Sequence, residues 1–191
     1  MRYVLGVIGV VVLAFFAIIL VTNSSSSNGG NKAAKVPTTL NLLDHDNATS
    51  AVSYTVQGPL KGEDQYQSLR ITVTQNRRTI DLLSGYEGNV IKTESLPNTP
   101  AAYTNFLHAL INANFVLYHK NVSSDERGVC ALGNRYIYDT TEGSNDLRRL
   151  WSTSCSTSQG SFAGTPDLVG QLFENQITDY NNFIVGSHIS F

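Results

Sequence analysis

The stretch that decides the fold is LRITVTQNRRTIDLL, residues 69–83. Its apolar residues alternate with polar ones on both sides of a polar centre: Leu69, Ile71, Val73, Ile80 and Leu82. This two-residue period is typical of strands that bury one face. A tight turn at Asn76-Arg77 would pair Val73 with Ile80 and place all five apolar side chains on the same side. The stretch therefore predicts an antiparallel hairpin with one apolar face.

Strand signals continue on both sides of this hairpin. Upstream, residues 52–56 alternate apolar and polar side chains. Downstream, a turn at residues 86–89 leads to a strand near residues 90–94. Residues 134–141 and 147–154 then predict a second hairpin around Glu142-Gly143.

Two helices are predicted from similar starting signals, Thr99-Pro100 and Thr165-Pro166-Asp167. A threonine suits the N-cap of a helix and a proline its first turn, and both pairs precede apolar residues at helical spacing. The order of strand, strand and Thr-Pro helix thus occurs twice, by internal duplication or independently. We expect an α+β domain in which one antiparallel sheet contains two ββα-like units and the helices pack on one face.

The chain begins with an unbroken run of 18 apolar residues, residues 4–21. As a helix this run would span roughly 27 Å, close to the hydrocarbon thickness of a bilayer. Residues 1–22 are therefore predicted to be a transmembrane anchor, and the Ser, Asn and Gly of residues 23–39 a flexible linker. The alternative is a cleaved signal peptide, whose apolar region is usually shorter, at about 7–15 residues.

Residues 40–191 are long enough for one hydrophobic core. Three of the 13 Lys and Arg residues precede residue 40, whereas all 15 Asp and Glu follow it, so this part carries a net charge of −5. An acidic domain is poorly suited to bind the phosphate backbone of nucleic acid, so we do not expect nucleic acid as a partner.

The only two cysteines are Cys130 and Cys155. An even count in an exported chain indicates a disulfide, and a turn centred on Glu142-Gly143 would set the two cysteines opposite each other. A metal site would need a Cys-x-x-Cys pair or nearby histidines, and a nucleophile would need a base to activate it. We predict one structural disulfide, which favours a location of residues 40–191 outside the cytoplasm.

The second hairpin carries the candidate binding residues. In the predicted register one face holds Tyr136, Tyr138, Leu147, Arg149 and Trp151. Because Tyr, Trp and Arg dominate interface hot spots, Tyr136, Tyr138, Arg149 and Trp151 are the candidate binding surface. The alternative is that the aromatic side chains belong to the core and that Arg148, on the other face, is a solvated charge.

Catalytic, cofactor-binding and metal-binding residues are not predicted anywhere in the chain. Asp44-His45-Asp46-Asn47 lacks the further ligands of a calcium loop and is expected to be solvated. Arg77-Arg78 is expected to be a solvated basic tip of the first hairpin. The sequence also contains no P-loop, dinucleotide fingerprint or nucleophile elbow, which disfavours an enzyme without excluding one.

Three segments of the second half carry a resemblance: residues 127–130 (RGVC), 134–138 (NRYIY) and 150–155 (LWSTSC). Together they resemble single-anchor proteins of small-genome episymbiotic bacteria of the Saccharibacteria type, over about the last 120 residues. The resemblance implies a bacterial envelope protein and carries over no activity and no site.

These observations predict a single-pass membrane protein whose C-terminal domain lies outside the cytoplasm. The expected function is a non-enzymatic binding or structural module of the cell envelope, without a cofactor, that recognises a protein or envelope component. Two alternatives stay open. One is an envelope-acting enzyme with unrecognised catalytic residues, and the other is a small subunit of a membrane complex.

Overall fold

The computed structural model describes residues 40–120, 125–155, 160–187 and 189. In chain order the elements are a 3₁₀ helix at Leu42–His45, β1 at Ser50–Gln57, β2 at Gln67–Thr74, β3 at Arg77–Ser84, β4 at Asn89–Pro97, α1 at Pro100–Asn112, β5 at Arg135–Glu142, β6 at Asn145–Thr153, α2 at Pro166–Glu174 and α3 at Tyr180–Ile184. Within these ranges, no helix combines the length and the apolar character needed to cross a membrane. The predicted anchor and linker lie outside the described residues.

The strands form one antiparallel sheet in the order β4-β3-β2-β1-β5-β6. The α+β class is therefore confirmed. A strand pair followed by a Thr-Pro helix occurs twice, as β3-β4-α1 and as β5-β6-α2. The two units are not equivalent, because β1 and β2 precede the first and β5 pairs with β1.

The β2–β3 hairpin turns at Gln75-Asn76, one residue earlier than predicted. Val73 pairs with Arg78 and Ile71 with Ile80, so the predicted partners are wrong by two residues. An even shift keeps every side chain on its predicted face, and the apolar face is confirmed. The turn closes here because Thr74 Oγ1 accepts hydrogen bonds from the backbone N–H groups at positions 76 and 77, at 3.4 and 3.1 Å.

One side of the sheet carries the main hydrophobic core, and we call it the helix side. Its central row crosses five strands and is buried: Ile80, Ile71, Tyr54, Tyr138 and Leu150. The buried residues of the three helices join the same cluster: Tyr103, Phe106, Leu107 and Leu110 of α1, Val169 and Phe173 of α2, and Phe183 of α3. Phe173 lies at the centre of this packing, with ring centroids 5.7 Å from Tyr54 and 5.1 Å from Phe106.

Both helices start where the sequence predicts. Thr99 Oγ1 accepts a hydrogen bond of 3.2 Å from the Ala102 N–H, which satisfies one free donor of the first turn of α1. Thr165 occupies the equivalent position before α2 but makes no capping hydrogen bond through its side chain. Helix α2 is also short and ends at Glu174.

The β5–β6 hairpin departs from the predicted register by three residues. Tyr138 pairs with Leu150 rather than with Leu147, and the register skips Leu147 between Thr140 and Thr141. The turn lies at residues 143–144, where Gly143 has φ +58°, a conformation that glycine adopts readily. Because an odd shift exchanges the two faces, the predicted grouping of side chains in this hairpin is wrong.

The side of the sheet opposite the helices is partly crossed by residues 125–133, which we call the strap. The predicted disulfide between Cys130 and Cys155 is confirmed, with 5.7 Å between the Cα atoms, and it joins the strap to the chain after β6. The Ala131 carbonyl accepts a hydrogen bond of 2.8 Å from the Leu60 N–H. Four buried hydrophobic residues that do not belong to the main cluster lie at this end: Tyr66, Leu83, Ile137 and Trp151.

Asp44 is exposed as expected, but residues 45–47 make specific contacts, and the expectation that they would be solvated is wrong. Asn47 Nδ2 donates to Glu142 Oε1 at 2.6 Å, and His45 Nδ1 lies 3.0 Å from Glu142 Oε2. Asp46 accepts hydrogen bonds from the β2–β3 turn and from α1. This polar clasp fixes the 3₁₀ helix against the end of β5.

The predicted basic tip of the first hairpin is only half solvated. Arg77 is exposed. Arg78 instead donates through Nε and Nη2 to the Pro97 carbonyl, at 3.2 and 2.9 Å, and through Nη1 to the Gln176 carbonyl at 3.1 Å. It therefore joins β4 to the chain that follows α2.

Candidate functional site

The side of the sheet opposite the helices presents a polar surface beyond the strap. The first of its two rows runs across all six strands: Ser95, Thr79, Thr72, Ser53, Asp139 and Arg149. A second row lies beside it on three strands and consists of Thr93, Asp81 and Arg70, whereas the next residue of that row, Thr55, is buried. We call these nine residues, without Thr55, the open face. The core cluster that the helices join contains none of them.

A charge cluster lies at the β5–β6 end of the open face. Arg149 Nη1 lies 3.2 Å from both carboxylate oxygens of Asp139, and Arg149 Nη2 lies 2.9 Å from Glu126 Oε1 of the strap. The Arg149 side chain remains half exposed. A guanidinium held by two carboxylates is fixed in orientation, and it retains further N–H donors for an incoming group.

Burial and neighbouring charges shift the pKa values of Asp139 and Arg149 in opposite directions. Burial raises the pKa of Asp139, and the nearby charges of Arg149 and Arg70 offset only part of that increase. Burial alone would lower the pKa of Arg149, but the hydrogen bond to Glu126 and the charge of Asp139 more than offset it and leave that pKa raised. The guanidinium therefore stays charged.

A shallow depression of about 320 Å³ lies in the surface between these charges. It is lined by Ala51, Ser53, Arg70, Thr72, Asp139, Thr141, Asp146 and Arg149. Hydroxyl groups both donate and accept hydrogen bonds, whereas the arginines only donate and the carboxylates only accept. The depression can therefore match a partner that presents both donors and acceptors.

The structure separates the four candidate binding residues. Tyr136 and Tyr138 lie on the helix side, where Tyr138 is 1% exposed and its ring is stacked on Phe162 at 3.9 Å. Trp151 lies on the opposite side but is 4% exposed at the strap end. Of these four residues, only Arg149 is exposed on the open face.

The prediction that these side chains form one surface is therefore wrong. The prediction that Arg148 would be a solvated charge is also wrong, because Arg148 lies on the helix side and is 4% exposed.

The sequence reasoning missed Arg70, Asp139 and the hydroxyl rows as a site. Their signal was present in the polar positions of the alternating strands, but strand order was needed to bring β2, β1 and β5 together. Ser53 lies between Thr72 and Asp139 only because β1 pairs with β5 across 85 residues of chain. Local periodicity carries no information on such a pairing.

The geometry favours binding of a flat polar partner over enclosure of a small molecule, because small-molecule sites are concave and mostly apolar. Within the described residues, no group of three His, Cys, Asp or Glu side chains is placed to hold a metal ion. No protein-family model matches the chain, and no curated protein matches it.

Proposed function

We propose that the chain is a membrane-anchored extracytoplasmic binding module of a bacterial cell envelope, which presents its open face to a protein or envelope component. The observation that supports this most is the composition of the open face. All nine residues are polar, and they share one side of a sheet whose other side is buried under helices.

The charge cluster would determine which partner the open face recognises. Arg149 is held by Asp139 and Glu126, so little side-chain entropy would be lost when a partner binds it. Arginine is also among the residue types that dominate interface energetics. A partner that presents both hydrogen-bond donors and carbonyl acceptors fits this arrangement.

The open face is small for a protein–protein interface. A row on six strands spaced about 4.8 Å apart and a second row on three strands give an area on the order of 300 Å². A standard-size interface buries about 800 Å² on each partner. We therefore expect a weak, transient complex.

The proposed location rests on two features of the chain. The disulfide joins two partly exposed segments, and disulfides persist in oxidising compartments. The run of 18 apolar residues at positions 4–21 would supply the anchor.

The test is position-specific photo-cross-linking in cells of the native host. A photoreactive residue at Thr72, on the open face, is expected to give one discrete cross-linked species, because cross-linking captures transient complexes. The same residue at Asn105, exposed on α1, is the control and is expected to give none.

Charge reversal separates a specific complex from chance encounters. Arg149→Glu is expected to abolish the Thr72 species, whereas Lys120→Glu, the same change at an exposed site outside the sheet, leaves it unchanged. Equal cross-linking from Thr72 and Asn105, or a Thr72 species that resists Arg149→Glu, would contradict the proposal.

A further inference from the structure

We propose that a pocket between helix α2 and the sheet binds a primary alkylammonium group, with Glu174 as its charge partner and the Tyr54 hydroxyl as a hydrogen-bond acceptor. The pocket has a volume of about 240 Å³ and lies on the helix side of the molecule. Its lining includes Tyr54, Tyr136, Asp167, Gly170, Gln171 and Glu174. Among the described residues of the lining, none is Lys, Arg or His.

The Tyr54 hydroxyl is a buried polar group that faces this pocket. Tyr54 is only 6% exposed, and its ring centroid lies 5.7 Å from that of Phe173 and 6.2 Å from that of Tyr136. Burial raises the pKa of Tyr54, and nearby tyrosines and Glu174 raise it further. Within the described part of the chain, this hydroxyl makes no hydrogen bond. Because buried polar groups usually have a partner, a ligand that donates to this hydroxyl would supply the partner it lacks.

A glycine keeps the Tyr54 hydroxyl open to the pocket. Gly170 lies within the nine-residue helix α2, and a Cβ at this position would lie 3.2 Å from the Tyr54 hydroxyl oxygen. Glycine is a poor helix former, so its place inside so short a helix is unfavourable for the helix itself. The opening above the hydroxyl gives a reason for this residue.

Glu174 lies where a carboxylate is unfavourable. It is the last residue of α2, where the helix dipole disfavours a negative charge, and the last turn contains no basic residue. Burial raises the pKa of Glu174, and a hydrogen bond with the Tyr180 side chain offsets only part of that increase. No cationic side chain among the described residues forms an ion pair with Glu174. A cation in the pocket would stabilise this carboxylate.

A second carboxylate adds to the negative potential of the pocket. Asp167 lies seven residues before Glu174, which places the two side chains on the same face of α2, about 10 Å apart along the helix axis. Asp167 is exposed, in a domain whose net charge is −5. The charges of the pocket therefore favour a cation over an anion.

The lining also selects the kind of cation. Within the described residues, no group of three His, Cys, Asp or Glu side chains is placed to hold a metal ion. A primary ammonium group donates three hydrogen bonds and is attracted to the faces of aromatic rings, and its alkyl stem can lie against the half-buried ring of Tyr136. The volume is below the range of about 300–1,000 Å³ for drug-sized ligands, so a small head group with a short stem fits.

This inference does not depend on the proposed partner of the open face, because Tyr54 and Tyr136 lie on the opposite side of the sheet. An alkylammonium group occurs both in a free amine and in the lysine side chain of a protein. The experiment distinguishes these two sources.

The experiment uses the full chain in detergent micelles, with ¹³C at the Cζ atom of each tyrosine, and records NMR spectra during titration with pentylammonium. The Tyr54 signal, assigned by its loss in Tyr54→Phe, is expected to shift saturably. Half-saturation is expected at a concentration at least tenfold lower than for 1-pentanol, which has the same stem without the charge.

A second titration identifies the source of the ammonium group. It uses Nα-acetyl-lysine N-methylamide, which carries the same group on a peptide unit. Binding as tight as that of pentylammonium would assign the site to a lysine side chain, and weaker binding would assign it to a free amine.

Two variants test the roles of the residues. Glu174→Gln is expected to raise the half-saturating pentylammonium concentration at least tenfold and to remove the preference over 1-pentanol. Glu87→Gln, at an exposed glutamate between β3 and β4, is the matched control and is expected to change neither value. Gly170→Ala is expected to prevent the shift of the Tyr54 signal by filling the space above the hydroxyl, and circular dichroism checks that both pocket variants are folded.

The proposal is overturned if the Tyr54 signal does not shift, if 1-pentanol binds as tightly as pentylammonium, or if folded Glu174→Gln binds pentylammonium as the unmodified chain does. Saturation by glucose, but not by pentylammonium, would equally overturn it in favour of a sugar site.

Discussion

The two sides of the sheet bury their apolar residues in different ways. On the helix side, three helices deliver aromatic and aliphatic side chains over a row that crosses five strands. On the opposite side, four hydrophobic residues are buried beside a strap fixed by the disulfide, and the residues of the open face are polar. One side is therefore closed by non-covalent contacts, while the other side is closed at one end by a covalent constraint and keeps polar residues at its surface.

The largest effect is expected from Phe173→Ala on the helix side. Phe173 is fully buried, and three aromatic rings lie within 5.7 Å of its centroid. Truncation of a buried Phe typically costs about 3–5 kcal/mol, so the free energy of unfolding measured in urea should fall by that amount. Trp151→Ala at the strap end should lower the free energy of unfolding by less than Phe173→Ala does. A larger loss for Trp151→Ala would contradict the expectation that the helix side contributes more to stability than the strap end.

The next effect is expected from Cys130→Ser combined with Cys155→Ser. The disulfide closes a loop with a sequence separation of 25, and its loss should cost about 3 kcal/mol. In the folded variant, hydrogen exchange should increase in the strap and at Trp151, while α1 and α2 keep their protection. Equal loss of hydrogen-exchange protection on both sides of the sheet would contradict the idea that the disulfide stabilises only the strap side.

A smaller effect is expected from Gly133→Ala within the strap. A Cβ at residue 133 would lie 2.6 Å from Cys130 Sγ and 2.6 Å from Ser154 Oγ, so the strap must shift. We expect a loss of about 1–3 kcal/mol and partial thiol alkylation before reduction.

Gly128→Ala is the matched control in the same strap. Gly128 has φ +70° but no atom within 4 Å of an added Cβ, so only backbone strain of about 1–2 kcal/mol is expected, with the disulfide intact. Identical alkylation in the two variants would contradict the close packing beneath the disulfide.

The smallest effect is expected from Glu142→Gln in the polar clasp. Hydrogen bonds from Asn47 and then His45 lower the pKa of Glu142 in the folded state. Its carboxylate therefore stabilises the fold above the unfolded pKa of about 4.3, and that contribution disappears as pH falls through the lower folded pKa. Melting temperatures should differ slightly at pH 7 and converge once the pH lies below the folded-state pKa, and a difference that persists or grows at the lowest pH would contradict this sign.

Much of the fold could be predicted because its signals are local. Alternation identified strands β1 to β3, and Thr99-Pro100 identified the start of α1. The first hairpin tolerated an error in turn position, since a shift of two residues preserves the faces. The disulfide was also predicted, from the number of cysteines and from a turn position that proved wrong.

The candidate site could not be predicted because it depends on non-local pairing and on one irregularity. Skipping Leu147 in β6 gives the second hairpin an odd departure from the predicted register, which separates Arg149 from Tyr136 and Tyr138. The partners of Asp46 and Arg78 come from distant elements, so both were mistaken for solvated charges.

We expect the open face to be free in the isolated protein and to be occupied by its partner outside the cytoplasm in the cell. The most direct measurement is the labelling rate of Thr72→Cys by a membrane-impermeant maleimide, in intact cells and in the purified full chain, with Asn105→Cys as the reference. We predict that both positions react in intact cells, and that Thr72→Cys alone reacts at least twofold more slowly there than when purified, because a transient complex covers this residue for part of the time. Equal rates at Thr72→Cys in the two settings would contradict an occupied open face. The absence of labelling at both positions in intact cells would contradict the outward location.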